Sequence, residues 1–332
     1  MPVAVAVPLF IASLTVTLAA ARLFARRLDI VGTALGLSET IIGVLTALAA
    51  DGPEVTSAVI ALAKGEHAVS AGVVVGSNVF NIAAMIGLSA LLAGSVRVSR
   101  TALALEGTVG ALVTLIAAGV LLDALAPLWA AILVVPVLAA YLALLLEATR
   151  TEPRRPLPRA VRRQLLDVLA TRTQPRPAHA AQHRSHRRAM LLITGDVALI
   201  ILGSLGMVNS AVALGGHWGI SGTVIGVLLL GPLTSLPNAQ TGIRLGLSGR
   251  GAALVSETFN SNTINLVGGV LVPALFVDVA LGSSTEKVGL LWLAGITVAS
   301  LFGLGRGGGL NRRGGGALVL IYAGFAVFQL SA

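Results

Sequence analysis

Apolar runs of bilayer-crossing length succeed one another along almost the whole chain, and they decide what it can fold into. They lie near 3 to 24, 33 to 50, 53 to 63, 68 to 93, 102 to 122, 127 to 147, 190 to 213, 220 to 247, 251 to 277, 288 to 304 and 315 to 331. A spanning helix needs about 20 mainly apolar residues. The second and third runs are too short to cross separately, so 33 to 63 reads as one helix broken near Pro53. Ten crossings result. Backbone amides in lipid must be paired within the protein, so the expected fold is an all-α integral membrane protein with the bilayer as its surroundings. Composition agrees, with 55% of the 332 residues hydrophobic and 11% charged. The first run has no Lys or Arg before it, and Arg22, Arg26 and Arg27 follow it. It lacks the basic n-region of a cleaved signal and is expected to stay in the mature protein. With no cysteine, disulfides and thiolate metal ligands are excluded.

Residues 150 to 189 differ in kind. From 150 to 188 they hold eleven of the 23 Lys and Arg against only Glu152 and Asp167, a local balance of +9 that equals the net charge of the chain. Pro153, Pro156, Pro158, Pro175 and Pro177 are interleaved. This reads as a mobile basic linker between a first half, 1 to 149, and a second half, 190 to 332, with a short helix near Arg159 to Leu169. It carries no aromatic residue on which bases could stack, so no nucleic-acid partner is expected. Loops on the cytoplasmic side are basic. If the linker is cytoplasmic and five crossings precede it, the N-terminus lies outside a cell membrane. Of the 23 basic residues, 21 then fall on the inner side, and only Lys64 and Lys287 fall outside.

The halves resemble each other. Gly36 to Leu45 is similar to Gly219 to Leu228 at an offset of 183, while Pro53-Glu54 matches Pro237-Asn238 and Gly76 to Ile82 matches Asn260 to Leu266 at 184. The repeats span about 36 to 93 and 219 to 277. Five crossings per half is an odd number, so the second copy enters the membrane in the opposite sense. Folds of two inverted five-helix repeats place substrate near the midplane, where discontinuous helices meet and freed carbonyls and helix ends can hold ions. Pro53 and Pro237 supply the interruptions by removing a backbone donor.

A Ser-Asn-x-x-Asn run occurs twice, as Ser77, Asn78, Asn81 and as Ser261, Asn262, Asn265. It sets a hydroxyl and an amide on one helical face at i and i+4. Across the midplane these would meet Asp51 and Glu54 from one half and Thr234, Ser235 and Asn238 from the other. Oxygen shells with carboxylates suit hard cations such as Ca²⁺ or Na⁺, and an intramembrane carboxylate marks a pathway by default. The competing reading is that such Ser, Thr and Asn residues only bond backbone carbonyls or a neighbouring helix; the duplicated spacing weighs against it. Glu257, one turn before Ser261, could face the site or carry a proton. Glu39, Glu106 and Asp196 are expected near helix ends or in structural pairs. His67, His179, His183, His186 and His217 lack partners at metal-ligand spacing. The glycines at 307 to 309 and 314 to 316 are expected to flank a loop. No nucleophile with a base, acid pair or nucleotide loop is present, so no enzyme and no cofactor are expected.

These residues resemble the sodium/calcium exchanger family, whose two α-repeats read approximately G-T-S-L-P-E followed by G-S-N-x-F-N. Gly76-Ser77-Asn78-Val79-Phe80-Asn81 matches the second element completely; Pro53-Glu54 keeps the acid of the first, and Thr234-Ser235-Leu236-Pro237 keeps its Thr-Ser-x-Pro. The resemblance implies a ten-helix fold with a cytoplasmic central loop. It implies Ca²⁺ ligation by Glu54, Na⁺ binding by Thr234 and Ser235, and a shell completed by Ser77, Asn81 and Ser261. Asn238 stands where the second copy usually has glutamate, which takes one carboxylate out of the pair, and Asp51 could restore it. Gly43 to Pro53 is one residue shorter than Gly226 to Pro237, so the register of Asp51 stays open, and Asn265 adds no acid. Three functions follow: a secondary antiporter exchanging Ca²⁺ or another cation against Na⁺ or H⁺, a monovalent cation/proton antiporter, or a degenerate member that does not transport. Oligomeric state is not legible.

Overall fold

Helices take up most of the chain because lipid leaves a backbone little other choice. The computed structural model describes residues 1–35, 39–149, 157–172 and 184–331. The Gly36 to Ser38 part of the repeat motif, the linker at 150–156 and 173–183, and His179 and His183 lie outside them.

In the first half, α1 (Val3–Ala34) leads to α2 (Glu39–Ala50), α3 (Gly52–Ala63) and α4 (His67–Asn81). Helix α4 runs through a π-helical turn, Ile82–Gly87, into α5 (Leu88–Ala93); β1 (Ser95–Arg97), α6 (Arg100–Leu121) and α7 (Pro127–Ala148) follow. The linker holds α8 (Arg159–Arg172). In the second half, α9 (Arg184–Trp218) precedes α10 (Gly222–Val224), a π-helical turn Ile225–Leu230, α11 (Gly231–Thr234), α12 (Leu236–Leu247) and α13 (Gly251–Leu266). Another π-helical turn, Val267–Leu271, then α14 (Ser284–Gly305), β2 (Gly309–Asn311) and α15 (Arg312–Ser331) complete the chain.

Seven helices among the described residues are long and apolar enough to cross a bilayer alone, and the pair Gly222–Thr234 with Leu236–Leu247, bent by 52°, makes eight. Helices α2 and α3 have 12 residues each, too few to span singly. Helices α4 and α5 are central: 89% of their apolar window is buried, against 17 to 39% for the other spans. The outer helices turn large apolar side chains such as Leu115, Trp129, Leu191 and Leu320 outward, as lipid-facing surfaces require. Helices α1 and α9 pack along each other, joined by an ion pair between Arg27 and the buried Asp196. That pair bears out the structural role expected of Asp196.

Three features differ from the sequence expectation. Strands β1 and β2 pair antiparallel, Val96 opposite Leu310, in a ribbon too short to show a period-2 pattern. The glycines Gly314 to Gly316 lie inside α15, where Gly315 packs against the backbone of Gly87, and Gly309 belongs to β2. The linker is not uniformly free: α8 docks on α2, α6, α7 and α13. Its Leu165 is buried with Tyr141, Leu145 and Ala148, and Gln164 donates to Ser256 Oγ at 3.0 Å.

Candidate functional site

Two breaks organise the site. Pro53 and Pro237 sit in the first turns of α3 and α12, where a missing N–H costs little because those donors have no helical acceptor. The chain breaks one residue before each helix, at Asp51 and Ser235, and both residues have φ −83° and ψ 0°. Asp51 therefore corresponds to Ser235. The one-residue difference in spacing lies where the second copy turns π-helical at Ile225–Leu230 and the first copy stays α-helical in α2. A π-turn closes i→i+5 and holds one extra residue. Beyond it the offset is a constant 184, pairing Glu54 with Asn238, Ser77 with Ser261 and Asn81 with Asn265.

The helices carrying these residues approach closely because glycines face backbone. A Cβ on Gly72 would lie 3.0 Å from Gly226 Cα, one on Gly76 2.6 Å from Val227 Cα, and one on Gly231 2.7 Å from the Ser77 backbone nitrogen. Close crossings of this kind in membrane proteins depend on small residues. Here they draw the second repeat's broken helix onto α4 beside Ser77.

Helices α4 and α13 meet reciprocally. Asn78 Nδ2 donates to the Asn262 carbonyl at 3.4 Å, and Asn262 Nδ2 donates to the Asn78 carbonyl at 3.1 Å. Asn81 Nδ2 donates to Asn262 Oδ1 at 3.1 Å, and Asn265 Nδ2 donates to Asn78 Oδ1 at 3.2 Å. Asn81 also reaches Ser261 Oγ at 3.1 Å and Asn265 reaches Ser77 Oγ at 3.5 Å. Each bond has its counterpart 184 residues away or nearly so, the pattern of a two-fold contact in which i touches j and j touches i. Asn78 and Asn262 were in the motif but not among the candidate ligands. The signal that could have singled them out is their duplication at the motif's own spacing.

Next to this contact, polar atoms converge. Asn238 Nδ2 lies 2.8 Å from Asp51 Oδ1, 3.0 Å from Glu54 Oε1 and 3.0 Å from Ser261 Oγ. Ser261 Oγ in turn donates to Asp51 Oδ1 at 2.6 Å. All are buried, Glu54 to 1% and Asp51 to 3% exposure. Glu54 Oε2, Asn81 Oδ1 and Asn265 Oδ1 are buried oxygens without a hydrogen-bond partner. A buried acceptor left unpaired costs about 1–3 kcal/mol.

Of the nine sequence candidates, Asp51, Glu54, Asn81, Asn238 and Ser261 share one hydrogen-bonded cluster, and Ser77 and Asn265 join it through the Asn78–Asn262 contact. Thr234 Oγ1 donates back to Leu230 O at 2.8 Å, and Ser77 Oγ donates to Val73 O at 2.7 Å, the local bond common for membrane hydroxyls. Thr234 and Ser235 are fully buried at the second break. Glu257 is half-buried on α13. Glu106 belongs to a separate cluster, accepting from Tyr141 OH at 3.0 Å and Asn260 Nδ2 at 3.2 Å. His67 is exposed, and His217 Nε2 is 2.7 Å from Met1 O.

Chemically, the cluster offers hard oxygen atoms and two acids. Among the described residues no three His, Cys, Asp or Glu gather as a metal group. The carboxylates, hydroxyls and amides brought together here are oxygen donors of the types that hard cations take.

Residues 5–147 and 188–331 match the family model described as sodium/calcium exchanger protein. The chain is similar in fold to a crystal structure of the H⁺/Ca²⁺ exchanger CAX, with a TM-score of 0.70 at 16% identity over 98% of this chain and 87% of that one. It is similar to native YfkE, at 0.62 and 16% over 97% and 92%. It is also similar to the sodium-calcium exchanger NCX_Mj, at 0.55 and 18% over 97% and 98%. No curated protein matches the chain in sequence. With nearly all of both halves matched, the chain belongs to the sodium/calcium exchanger family of membrane cation antiporters.

Proposed function

We propose that the chain exchanges Ca²⁺, or a similar divalent cation, against Na⁺ or H⁺ by alternating access, with Asp51, Glu54, Ser77, Asn81, Thr234, Ser235, Asn238, Ser261 and Asn265 forming the cation path. The observation that carries this reading is the convergence of Asp51 Oδ1, Glu54 Oε1 and Ser261 Oγ on one point, within 3.0 Å of Asn238 Nδ2. Two buried carboxylates, both from the first half, favour a divalent over a monovalent ion because carboxylate number sets charge preference. Asn238 alone argues for a monovalent ion. Asp51 beside Glu54 reverses that argument by restoring the second charge.

The proposal includes ten crossings in two inverted halves, 1–149 and 190–332, with the N-terminus outside and the basic linker in the cytoplasm. It is supported by the charge distribution, since 21 of 23 Lys and Arg fall on one side under that topology.

Flux into liposomes holding the purified protein tests the function. Ca²⁺ uptake driven by an outward Na⁺ or H⁺ gradient is expected, with no uptake by Glu54→Gln at normal insertion. Cation-dependent proton movement without Ca²⁺ uptake would favour a monovalent antiporter, and no flux with any ion would leave a protein that does not transport.

A further inference from the structure

Asn238 stands at the centre of the cluster and not on its wall. Its Nδ2 faces Asp51 Oδ1, Glu54 Oε1 and Ser261 Oγ at 2.8, 3.0 and 3.0 Å. Nitrogen, not Oδ1, belongs on this side, because an amide oxygen there would set acceptor against carboxylate. An amide nitrogen has two hydrogens for these three acceptors, so the position is over-supplied with oxygen. Ca²⁺ takes oxygens at 2.3–2.6 Å, and a contraction of about half an ångström would fit the same three atoms to it. The amide nitrogen and the cation cannot share that point. Withdrawing the side chain by a change of χ1 clears that point, and a turn about χ2, a broad and roughly two-fold torsion, then directs Oδ1, an acceptor, towards the ion.

We infer that Asn238 is a displaceable occupant of the cation position: its amide holds the three oxygens by hydrogen bonds, and when a divalent cation enters it draws back and turns over to become an oxygen ligand. The inference rests on the ion-cage reading above. Two of the three oxygens are braced without Asn238. Asn81 Nδ2 holds Ser261 Oγ at 3.1 Å and Asn262 Oδ1 at 3.1 Å, and Ser261 holds Asp51 at 2.6 Å. These bonds do not involve Asn238, so the Ser261 and Asp51 oxygens stay close to place while the occupant changes. An aspartate or glutamate at 238, ionised, has no hydrogen to donate and cannot play this part, which is specific to the neutral amide at this position.

Selective ¹⁵N labelling of asparagine side chains in the full chain, reconstituted in nanodiscs, tests this. The Asn238 NH₂ signals are those missing from the Asn238→Asp spectrum, and Ca²⁺ binding is measured on the same samples by calorimetry. The expected result is a shift of the Asn238 signals that saturates in step with Ca²⁺ binding, with both the shift and the binding lost in Glu54→Gln. Ca²⁺ binding that Glu54→Gln abolishes, with the Asn238 signals unmoved, overturns the inference and leaves the cage standing. A shift that persists unchanged in Glu54→Gln also overturns it, because the ion would then sit elsewhere. Absence of binding by Ca²⁺ and Na⁺ alike removes the cage reading and this inference with it.

Discussion

Single side chains divide into those proposed to meet a cation and those that hold the fold. Asp51 and Glu54 share one donor, Asn238 Nδ2, and stand at the start of α3, where the helix dipole favours negative charge. Asp51→Asn leaves one carboxylate in the cage. It is expected to weaken Ca²⁺ binding at least about tenfold, the equivalent of about 1.4 kcal/mol; calorimetry checks this, and unchanged affinity would take Asp51 out of the site. Glu106 is equally buried but ties α6 to α7 and α13 through Tyr141 and Asn260. Tyr141→Phe removes one donor from a buried carboxylate. A loss of about 1–3 kcal/mol of stability is expected, seen as a lower Tm of the purified protein, while the Ca²⁺ affinity of the folded fraction stays the same. Most residues of the buried polar cluster were legible in the sequence because the proline and the Ser-Asn-x-x-Asn run recur at one offset. The separate role of Glu106 was legible only as a buried acid expected in a structural pair, since its partners lie 35 and 154 positions away.

Elements show where a linear reading stops. Both helix breaks were announced by Pro53 and Pro237, but the register of Asp51 was not, because an offset that changes from 183 to 184 does not say where the extra residue goes. The π-helical turn at Ile225–Leu230 takes it up, and π-turns have no sequence pattern comparable to a proline. The β1–β2 ribbon escaped for a related reason: three residues per strand, separated by more than 200 positions, leave no periodic signal. Helix α8 was expected as a short helix near Arg159 to Leu169, yet its docking depends on Leu165 meeting α7 residues. Close crossing at Gly76 is the element-scale claim most open to test. Gly76→Val is expected to cost more than about 2 kcal/mol because backbone, not a flexible side chain, stands in the way. Gly295→Ala, where nothing lies within 4 Å of the added carbon, should be neutral or gain up to about 1 kcal/mol. Thermal unfolding of the two variants in one detergent compares them; equal Tm values would mean that the crossing is not tight.

At the scale of the whole molecule, the proposed inversion of one half against the other would make a single cage from two copies and give it access from two sides in turn. Lys64, after α3, and Ser248, after α12, are equivalent at the offset of 184 and both are exposed. The proposed topology sends them to opposite faces of the membrane. The chain has no cysteine, so Lys64→Cys and Ser248→Cys each provide one label site. An impermeant thiol reagent is expected to reach Lys64→Cys only from outside and Ser248→Cys only from inside, and labelling of both from one side would contradict the inverted plan. The most direct measurement on the cage itself is the anomalous scattering of a crystal soaked in Sr²⁺, a heavier divalent ion that also prefers oxygen ligands. The predicted result is one strong peak between Asp51, Glu54, Ser261 and Asn238, lost in Glu54→Gln. A peak elsewhere, or none in crystals of protein that carries out Ca²⁺ exchange, would contradict an ion cage built where the two repeats meet.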